Sequence, residues 1–222
     1  GDFPTFQILM DQPSFKFYNH LYLINLYAED STMLLYCLEH HPDFVINHKD
    51  VFLEYLCKYN EPQATQRLIE EMGADPTRGL WNAGFYGHLD MVNLLLEKGA
   101  NDINSIVQAA AAGGHIPILQ IFDISGVDLD SCLFYAADYV QWETAAWLME
   151  QGAQPEENVL FLAVAAEQWD IVSQMEELMI IENVDFNGYD ALSALRTVLE
   201  KGQLQALGFL LEHGLNPNQM IS

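Results

Sequence analysis

Lysine and arginine are scarce in this sequence. Its 222 residues contain 8 of them against 32 aspartates and glutamates, which gives a formal net charge of −24. Between Lys98 and Arg196 there is no basic residue of either type, although the same stretch carries 16 acidic residues. Binding to nucleic acid or to an anionic membrane surface depends on Lys and Arg that displace counterions. The composition therefore disfavours both of these partners and favours a cationic one.

Cysteines and long apolar runs are also few. Cys37, Cys57 and Cys132 are odd in number and widely spaced, so they form neither a disulfide framework nor a Cys-x-x-Cys metal knuckle. No apolar run reaches the roughly 18 residues that a membrane span needs. The first residues, Gly-Asp-Phe-Pro, lack the basic and apolar parts of a signal peptide. We therefore expect a cytoplasmic protein with no membrane partner.

Sequence motifs of catalysis are missing as well. There is no glycine-rich phosphate loop, no Gly-x-Ser-x-Gly elbow and no His-Glu-x-x-His. Cys37 and His41 lie four residues apart, on one face of a predicted helix, but the sequence specifies no third ligand or orienting acid. We therefore expect no catalytic residue, no metal and no cofactor, and predict that the chain is not an enzyme.

What the sequence does contain is an internal repeat. The clearest unit, residues 80–101, reads LWNAGFYGHLDMVNLLLEKGAN: a short helical stretch, a Gly-His break, a second helix with apolar periodicity, and a final Gly-Ala. The same pattern ends at intervals of 26 to 32 residues, at His41, Gly73, Gly99, Gly126, Gly152, Asn183 and Gly214. Gly and Asn tolerate the left-handed conformation that closes a helix. The pattern therefore predicts seven helix pairs.

Other local signals repeat with the same period. Ser105, Ser131, Asn158 and Ser193 fall at equivalent positions, where a side-chain oxygen is predicted to cap the first helix of a pair. A pair of helices cannot bury its apolar face alone, so apolar residues near the repeat ends are predicted to fill the core between pairs. These are Leu94, Leu95, Trp147, Leu148, Leu210 and Leu211.

The stretch GHLDMVNLLLEKGAN resembles the ankyrin repeat, whose second half usually reads Gly-His-Leu-Glu-Ile-Val and ends on Gly-Ala-Asp. The resemblance implies an all-α, ankyrin-like solenoid of about seven stacked helix pairs with short turns. We predict an N-terminal cap segment over residues 1–20, a single repeat domain over 21–217, and a tail over 218–222 that continues in a longer protein. The central units are about seven residues shorter than the usual period of 33, which would move partner contacts from the turns onto the helices.

The resemblance also implies where a partner would bind. In ankyrin-type stacks the residues just before the Gly-His break line the concave face, and Tyr27 shares that register. Aromatic rings beside carboxylates suit Arg and Lys side chains. The predicted partner-binding residues are Tyr59, Phe85, Tyr86, Asp102, Asp128, Asp130, Asp138, Tyr139, Glu156 and Glu157. The histidine of the break, His88 in the clearest unit, bonds neighbouring backbone in this family.

The function predicted on this basis is a non-catalytic protein–protein interaction module that binds a basic protein or peptide. Three alternatives stay open. The chain is the recognition domain of a larger bacterial or viral effector or enzyme, whose catalytic part lies elsewhere and which acts in the host-cell cytoplasm; or its acidic surface mimics nucleic acid; or the surface is simply solvated, with its aromatic side chains half packed. The sequence leaves the oligomeric state and the identity of the partner open.

Overall fold

The computed structural model describes residues 3–11, 31–178, 180–216 and 218. These residues form 15 α-helices and two short 3-10 helices, with no β-strand among them. The predicted all-α fold class is therefore confirmed. The chain divides into two compact units, Gly1–Ile106 and Val107–Ser222. Most of the predicted N-terminal cap, Tyr27 and most of the predicted tail lie outside the described residues.

The first unit consists of helix pairs joined by short turns. Its helices are α1 (Phe3–Met10), α2 (Thr32–His40), α3 (Pro42–Asn47), α4 (Lys49–Lys58), α5 (Pro62–Met72), α6 (Leu80–Phe85) and α7 (Leu89–Glu97), with a 3-10 helix at Pro76–Gly79. The first helices of successive pairs, α4 and α6, contact each other, and so do the second helices, α5 and α7. Each pair therefore buries its apolar face against the next pair, as a repeat stack requires.

The second unit repeats this arrangement. Its helices are α8 (Ile103–Gly113), within which the boundary between the units falls, α9 (Ile116–Leu119), α10 (Leu129–Asp138), α11 (Trp142–Glu150), α12 (Glu157–Ala165), α13 (Trp169–Glu177), α14 (Tyr189–Lys201) and α15 (Leu204–Glu212), with a 3-10 helix at Ile180–Asn183. The first helices α10, α12 and α14 pack in series, and α11, α13 and α15 are their second helices. Over both units, six complete pairs lie within the described residues.

Left-handed residues close the helices of each pair. The break between first and second helix carries one such residue in every pair: Asn60, Gly87, Gly114, Val140, Glu167 and Gly202. The following N–H then donates to a carbonyl five residues back, for example from His88 to Ala83 at 2.9 Å. Such a bond is typical of a Schellman motif. Second helices also end on a left-handed glycine, at Gly73, Gly99, Gly152 and Gly214, four of the glycines that the repeat predicted as helix ends.

The fifth of these glycines, Gly126, does not have that role. The helix predicted to reach it, α9, ends at Leu119, and the backbone of Gly126 is not left-handed. The Asp123 carboxylate accepts a hydrogen bond from the Ser125 N–H at 3.1 Å, and local bonds of this kind compete with helix formation. Ile121, which a longer helix could have buried, is 48% exposed.

The predicted caps and core need correction at single residues. The Ser105 N–H donates to Asp102 at 3.0 Å and the Ser131 N–H donates to Asp128 at 3.2 Å, so the capping side chains are the two aspartates, three residues earlier. Aspartate also interacts favourably with the positive end of the helix dipole. In the core, Leu95, Leu148 and Leu210 are fully buried, while Leu94 and Trp147 are half-buried. Leu211 is 44% exposed, because no helix pair follows α15 among the described residues.

Candidate functional site

The first helices of the second unit form a cleft that gathers three of the predicted partner-binding residues. It has a volume of about 400 Å³ and lies between α10 and the start of α12. Its lining residues are Asp128, Asp130, Ser131, Phe134, Tyr135, Glu156, Asn158 and Val159. We call it the carboxylate cleft, since Asp128, Asp130 and Glu156 bring three negative charges to one place beside two aromatic rings.

The three carboxylates differ in how far the protein itself uses them. Asp128 accepts both the N–H and the O–H of Ser131, at 3.2 and 2.6 Å, and these hydrogen bonds hold its pKa below the usual value. Asp130 accepts the Gln154 N–H through Oδ1 at 2.6 Å, which leaves its Oδ2 available. Glu156 is exposed and makes no capping hydrogen bond to α12. Asp130 and Glu156 are therefore the carboxylates best placed to accept from an external cation.

A second cleft lies beside the first one, between α10, α12 and α14. Its volume is about 210 Å³, and its lining residues are Phe134, Asp138, Asn158, Phe161, Leu162, Ala165, Asp190, Ser193, Ala194 and Thr197. Phe134 and Asn158 line both clefts, so the two are adjacent. We call it the apolar cleft, because Phe134, Phe161 and Leu162 supply its floor while Asp138 and Asp190 contribute carboxylates.

Two predicted residues of the second unit line neither cleft. Glu157 accepts the Asp185 N–H at 3.4 Å, a bond that joins one inter-repeat turn to the next. Tyr139 follows the last residue of α10 and is 45% exposed, and its carbonyl accepts from the Gln141 side chain at 3.2 Å. Glu157 therefore has a structural role, while the ring of Tyr139 stays on the surface.

In the first unit, the predicted aromatic residues already hold a cation of the chain itself. The Lys58 ammonium lies 5.1 Å from the ring centroid of Tyr59 and 5.6 Å from that of Tyr86, within the range of a cation–π interaction. The Phe85 ring meets Tyr86 edge to face at 5.1 Å. The His88 ring bonds the Lys58 carbonyl at 2.9 Å, which confirms the backbone-bonding role predicted for this histidine.

A cleft of the first unit is equivalent by register to the carboxylate cleft. It has a volume of about 410 Å³ and is lined by Glu54, Thr77, Arg78, Trp81, Asn82, Asp102 and Ser105. Counting back from the helix breaks, Arg78 and Trp81 correspond to Ser131 and Phe134. The Arg78 guanidinium pairs with the Glu54 carboxylate at 2.6 Å. The first unit thus fills this position with its own arginine.

The second unit carries no such internal cation at its clefts. Its sequence has 17 acidic residues and two basic ones, Arg196 and Lys201. Arg196 pairs with Glu200, one helical turn away, at 3.0 Å. None of the side chains that line the carboxylate cleft or the apolar cleft is basic. Neither cleft of the second unit therefore has a basic side chain of its own beside its carboxylates.

Sequence reasoning missed the residues at the centre of this surface. It singled out Asp138, which lines the apolar cleft, and Tyr139, which lines neither cleft, but not Phe134 and Tyr135, one helical turn before the break. Residues four apart share a helix face, and it is at this earlier turn that α10 and the start of α12 enclose a cleft. A signal was present, since Trp81, Phe134 and Phe161 are aromatic at one shared repeat position.

Other chemistry finds little support among the described residues. Burial raises the pKa of the Cys37, Cys57 and Cys132 thiols to about 12, so Cys37 is not an activated nucleophile. In the part of the chain that the structure describes, no three His, Cys, Asp or Glu side chains are grouped so that they could hold a metal ion. No helix within these residues has the length and apolar character of a membrane span.

These features define the class of the protein: it is an all-helical repeat protein built from stacked helix pairs. The family model of the ankyrin repeat matches residues 80–108. The chain therefore contains an ankyrin repeat over these residues, which supports the ankyrin-repeat protein that the sequence predicted. Comparison with curated proteins gives no match. Ankyrin repeats are typically non-catalytic modules that bind other proteins.

Proposed function

We propose that the second unit binds a basic segment of a partner protein on the surface formed by α10, α12 and α14. One observation carries the proposal. The carboxylate cleft offers carboxylates beside aromatic rings with no basic side chain in its lining, while the equivalent cleft of the first unit is lined by Arg78, which pairs with Glu54. The arginine at the equivalent position of the first unit supports a basic group as the ligand of this cleft.

The energetics favour a cation from outside. An Arg or Lys side chain that lies over an aromatic ring gains about 0.5 to 2 kcal/mol, depending on how far it is desolvated. The excess of carboxylates in the second unit adds a long-range field that speeds association with a basic partner. Because salt screens such a field within about 10 Å at 0.1 M, binding should weaken as the ionic strength rises.

The proposal includes the further parts of the sequence-based prediction. The chain acts as a non-catalytic module, its partner is a protein and not a nucleic acid, and it works in the cytoplasm. The same surface would serve if the chain is the recognition domain of a larger effector or enzyme.

Charge-only substitutions test the surface directly. Asp130→Asn keeps an oxygen that can accept the Gln154 N–H, and Glu156→Gln removes a charge at an exposed position. The matched control, Glu150→Gln with Glu176→Gln, removes two exposed charges from the second helices α11 and α13. Each immobilised chain captures proteins from a cytosolic extract at low and at high salt, and mass spectrometry quantifies them.

The expected result is one group of proteins with basic segments that wild type and control capture alike, and that the Asp130/Glu156 variant and high salt both release. A group captured equally by all three chains would contradict the proposed surface, and so would the capture of no protein at low salt.

A further inference from the structure

We propose that the partner segment carries two anchors close together: an arginine for the carboxylate cleft and an aliphatic side chain for the apolar cleft. This inference rests on the proposed function and specifies the chemistry of the partner. The two clefts share Phe134 and Asn158. One short segment can therefore fill both.

The apolar cleft takes a side chain and not a free small molecule. Ligand pockets usually measure about 300 to 1,000 Å³, and this cleft has a volume of about 210 Å³. Phe134, Phe161 and Leu162 offer apolar contact, while Asp138 and Asp190 add negative charge to the lining. Its occupant is thus an apolar group on a chain that is otherwise basic, since an acidic segment would be repelled by the same carboxylates that surround the apolar floor.

Arginine fits the carboxylate cleft better than lysine. The guanidinium is planar, stacks on aromatic faces and donates in a fork that matches carboxylate oxygens, whereas the lysine ammonium is a compact, strongly hydrated charge. The cleft presents Asp130 and Glu156 beside the rings of Phe134 and Tyr135. In the equivalent cleft of the first unit, the residue that pairs with a carboxylate beside Trp81 is also an arginine.

The two anchors would lie within a few residues of each other. The clefts are adjacent along α10 and α12, and Phe134 lines both of them. An extended segment advances about 3.3 Å per residue, so two side chains a few residues apart can reach adjacent clefts.

A random ten-residue peptide library, displayed on phage and selected on the full chain at low salt, tests the inference. Enriched peptides should carry an arginine and a Leu, Ile or Val at a constant short spacing. Fluorescence anisotropy on one synthetic peptide should show losses of at least about tenfold when its Arg is replaced by Lys or its aliphatic residue by Ser, as expected for anchor residues.

The protein variants are Leu162→Ser and, on the adjacent helix, Ser193→Gln, which places a longer polar side chain at an exposed position of the apolar cleft without changing its charge and should leave the fold intact. Either should weaken the peptide about tenfold, and the Asp130→Asn, Glu156→Gln pair should do so too. Peptides whose affinity depends on the carboxylate pair but not on the aliphatic residue or the apolar cleft would overturn the two-anchor inference and leave the proposed function standing. Peptides indifferent to the carboxylate pair, or no enrichment at all, would overturn both.

Discussion

Val140 shows how a single residue can work against the repeat. Its φ of 64° is left-handed, although the equivalent residues Gly87 and Gly202 have no side chain to strain. A β-branched residue is a rare outlier in that region, with a cost of roughly 1–2 kcal/mol. The side chain is also 64% exposed, so no buried contact offsets the cost. The helix break at Val140 is therefore strained.

Two reciprocal substitutions test this account of the break. Val140→Asn should raise the free energy of unfolding by about 1 kcal/mol, because Asn tolerates the left-handed region. Gly202→Val should lower it by about 1–2 kcal/mol; a Cβ at Gly202 would have no atom within 4 Å, so only the backbone is perturbed. Urea denaturation gives both values. A Val140→Asn protein that is less stable than wild type would show that the break is not strained.

The cysteines give a second test at this scale. A pKa of about 12 in the folded chain, against an ordinary value of 9.0, lowers the thiolate fraction near pH 8 roughly a thousand-fold. Because the thiolate is the reactive form, labelling of Cys37, Cys57 and Cys132 by a disulfide reagent should be negligible in the native protein and complete in urea. Labelling should speed up about tenfold for each unit that the pH rises above 8. Rapid native labelling of any of the three would contradict their burial.

At the scale of secondary-structure elements, carboxylates join successive turns. Asp50 accepts the Asp75 N–H at 3.0 Å, Asp130 accepts the Gln154 N–H at 2.6 Å, and Glu157 accepts the Asp185 N–H at 3.4 Å. Asp50, Asp130 and Glu157 occupy one repeat position. Some of the acidic residues therefore stabilise the fold through these hydrogen bonds, in addition to the binding role proposed for others.

This structural role of the carboxylates predicts that two substitutions of Asp130 differ in their effect on stability. Asp130→Ala leaves the Gln154 N–H without its acceptor and should lower the free energy of unfolding by about 1 kcal/mol. Asp130→Asn keeps an acceptor and should stay within about 0.5 kcal/mol of wild type, as most surface substitutions do. Equal destabilisation by Ala and Asn would mean that charge, and not the turn bond, is what stabilises the fold here.

The packing of the 3-10 helix in the first unit allows a sharper stability test. A Cβ on Gly79 would lie 2.5 Å from the Cys57 sulfur and 3.1 Å from a methyl group of Leu95. Gly79→Ala should therefore cost about 1–3 kcal/mol through overpacking. Gly126→Ala is the matched control, because its Cβ would have no atom within 4 Å and its backbone is not left-handed. Equal stability of the two variants in urea would contradict the packing of the 3-10 helix on α4.

At the scale of the whole molecule, the helix pairs could be predicted from the sequence because Gly73, Gly99 and Gly152 mark helix ends at a constant period. The early end of α9 could not, since it depends on the local bond between Asp123 and Ser125. For the site, the sequence indicated that the surface is acidic and aromatic, but it did not indicate which of the carboxylates can accept a hydrogen bond from a partner. Which carboxylates are already engaged depends on hydrogen bonds such as those from Ser131 to Asp128.

The positions of the clefts also could not be predicted from the sequence, because they depend on how the helices pack. A cleft at Phe134 and Tyr135 exists because of the spacing between α10 and α12, which the sequence of either helix alone does not determine. The difference between the units is also structural in origin. Only the contacts show that Lys58 lies over the rings of Tyr59 and Tyr86 and that Arg78 pairs with Glu54, whereas no basic side chain lines the two clefts of the second unit.

Site-specific photo-crosslinking tests the central claim most directly. A benzophenone amino acid replaces either Tyr135, in the carboxylate cleft, or Trp147, half-buried on the second helix α11, and each full chain is irradiated in cytosolic extract. The account predicts that position 135 crosslinks to a basic segment of a protein, that added salt or Asp130→Asn with Glu156→Gln abolishes the product, and that position 147 gives no such product. Crosslinks from position 147 with none from position 135 would contradict it.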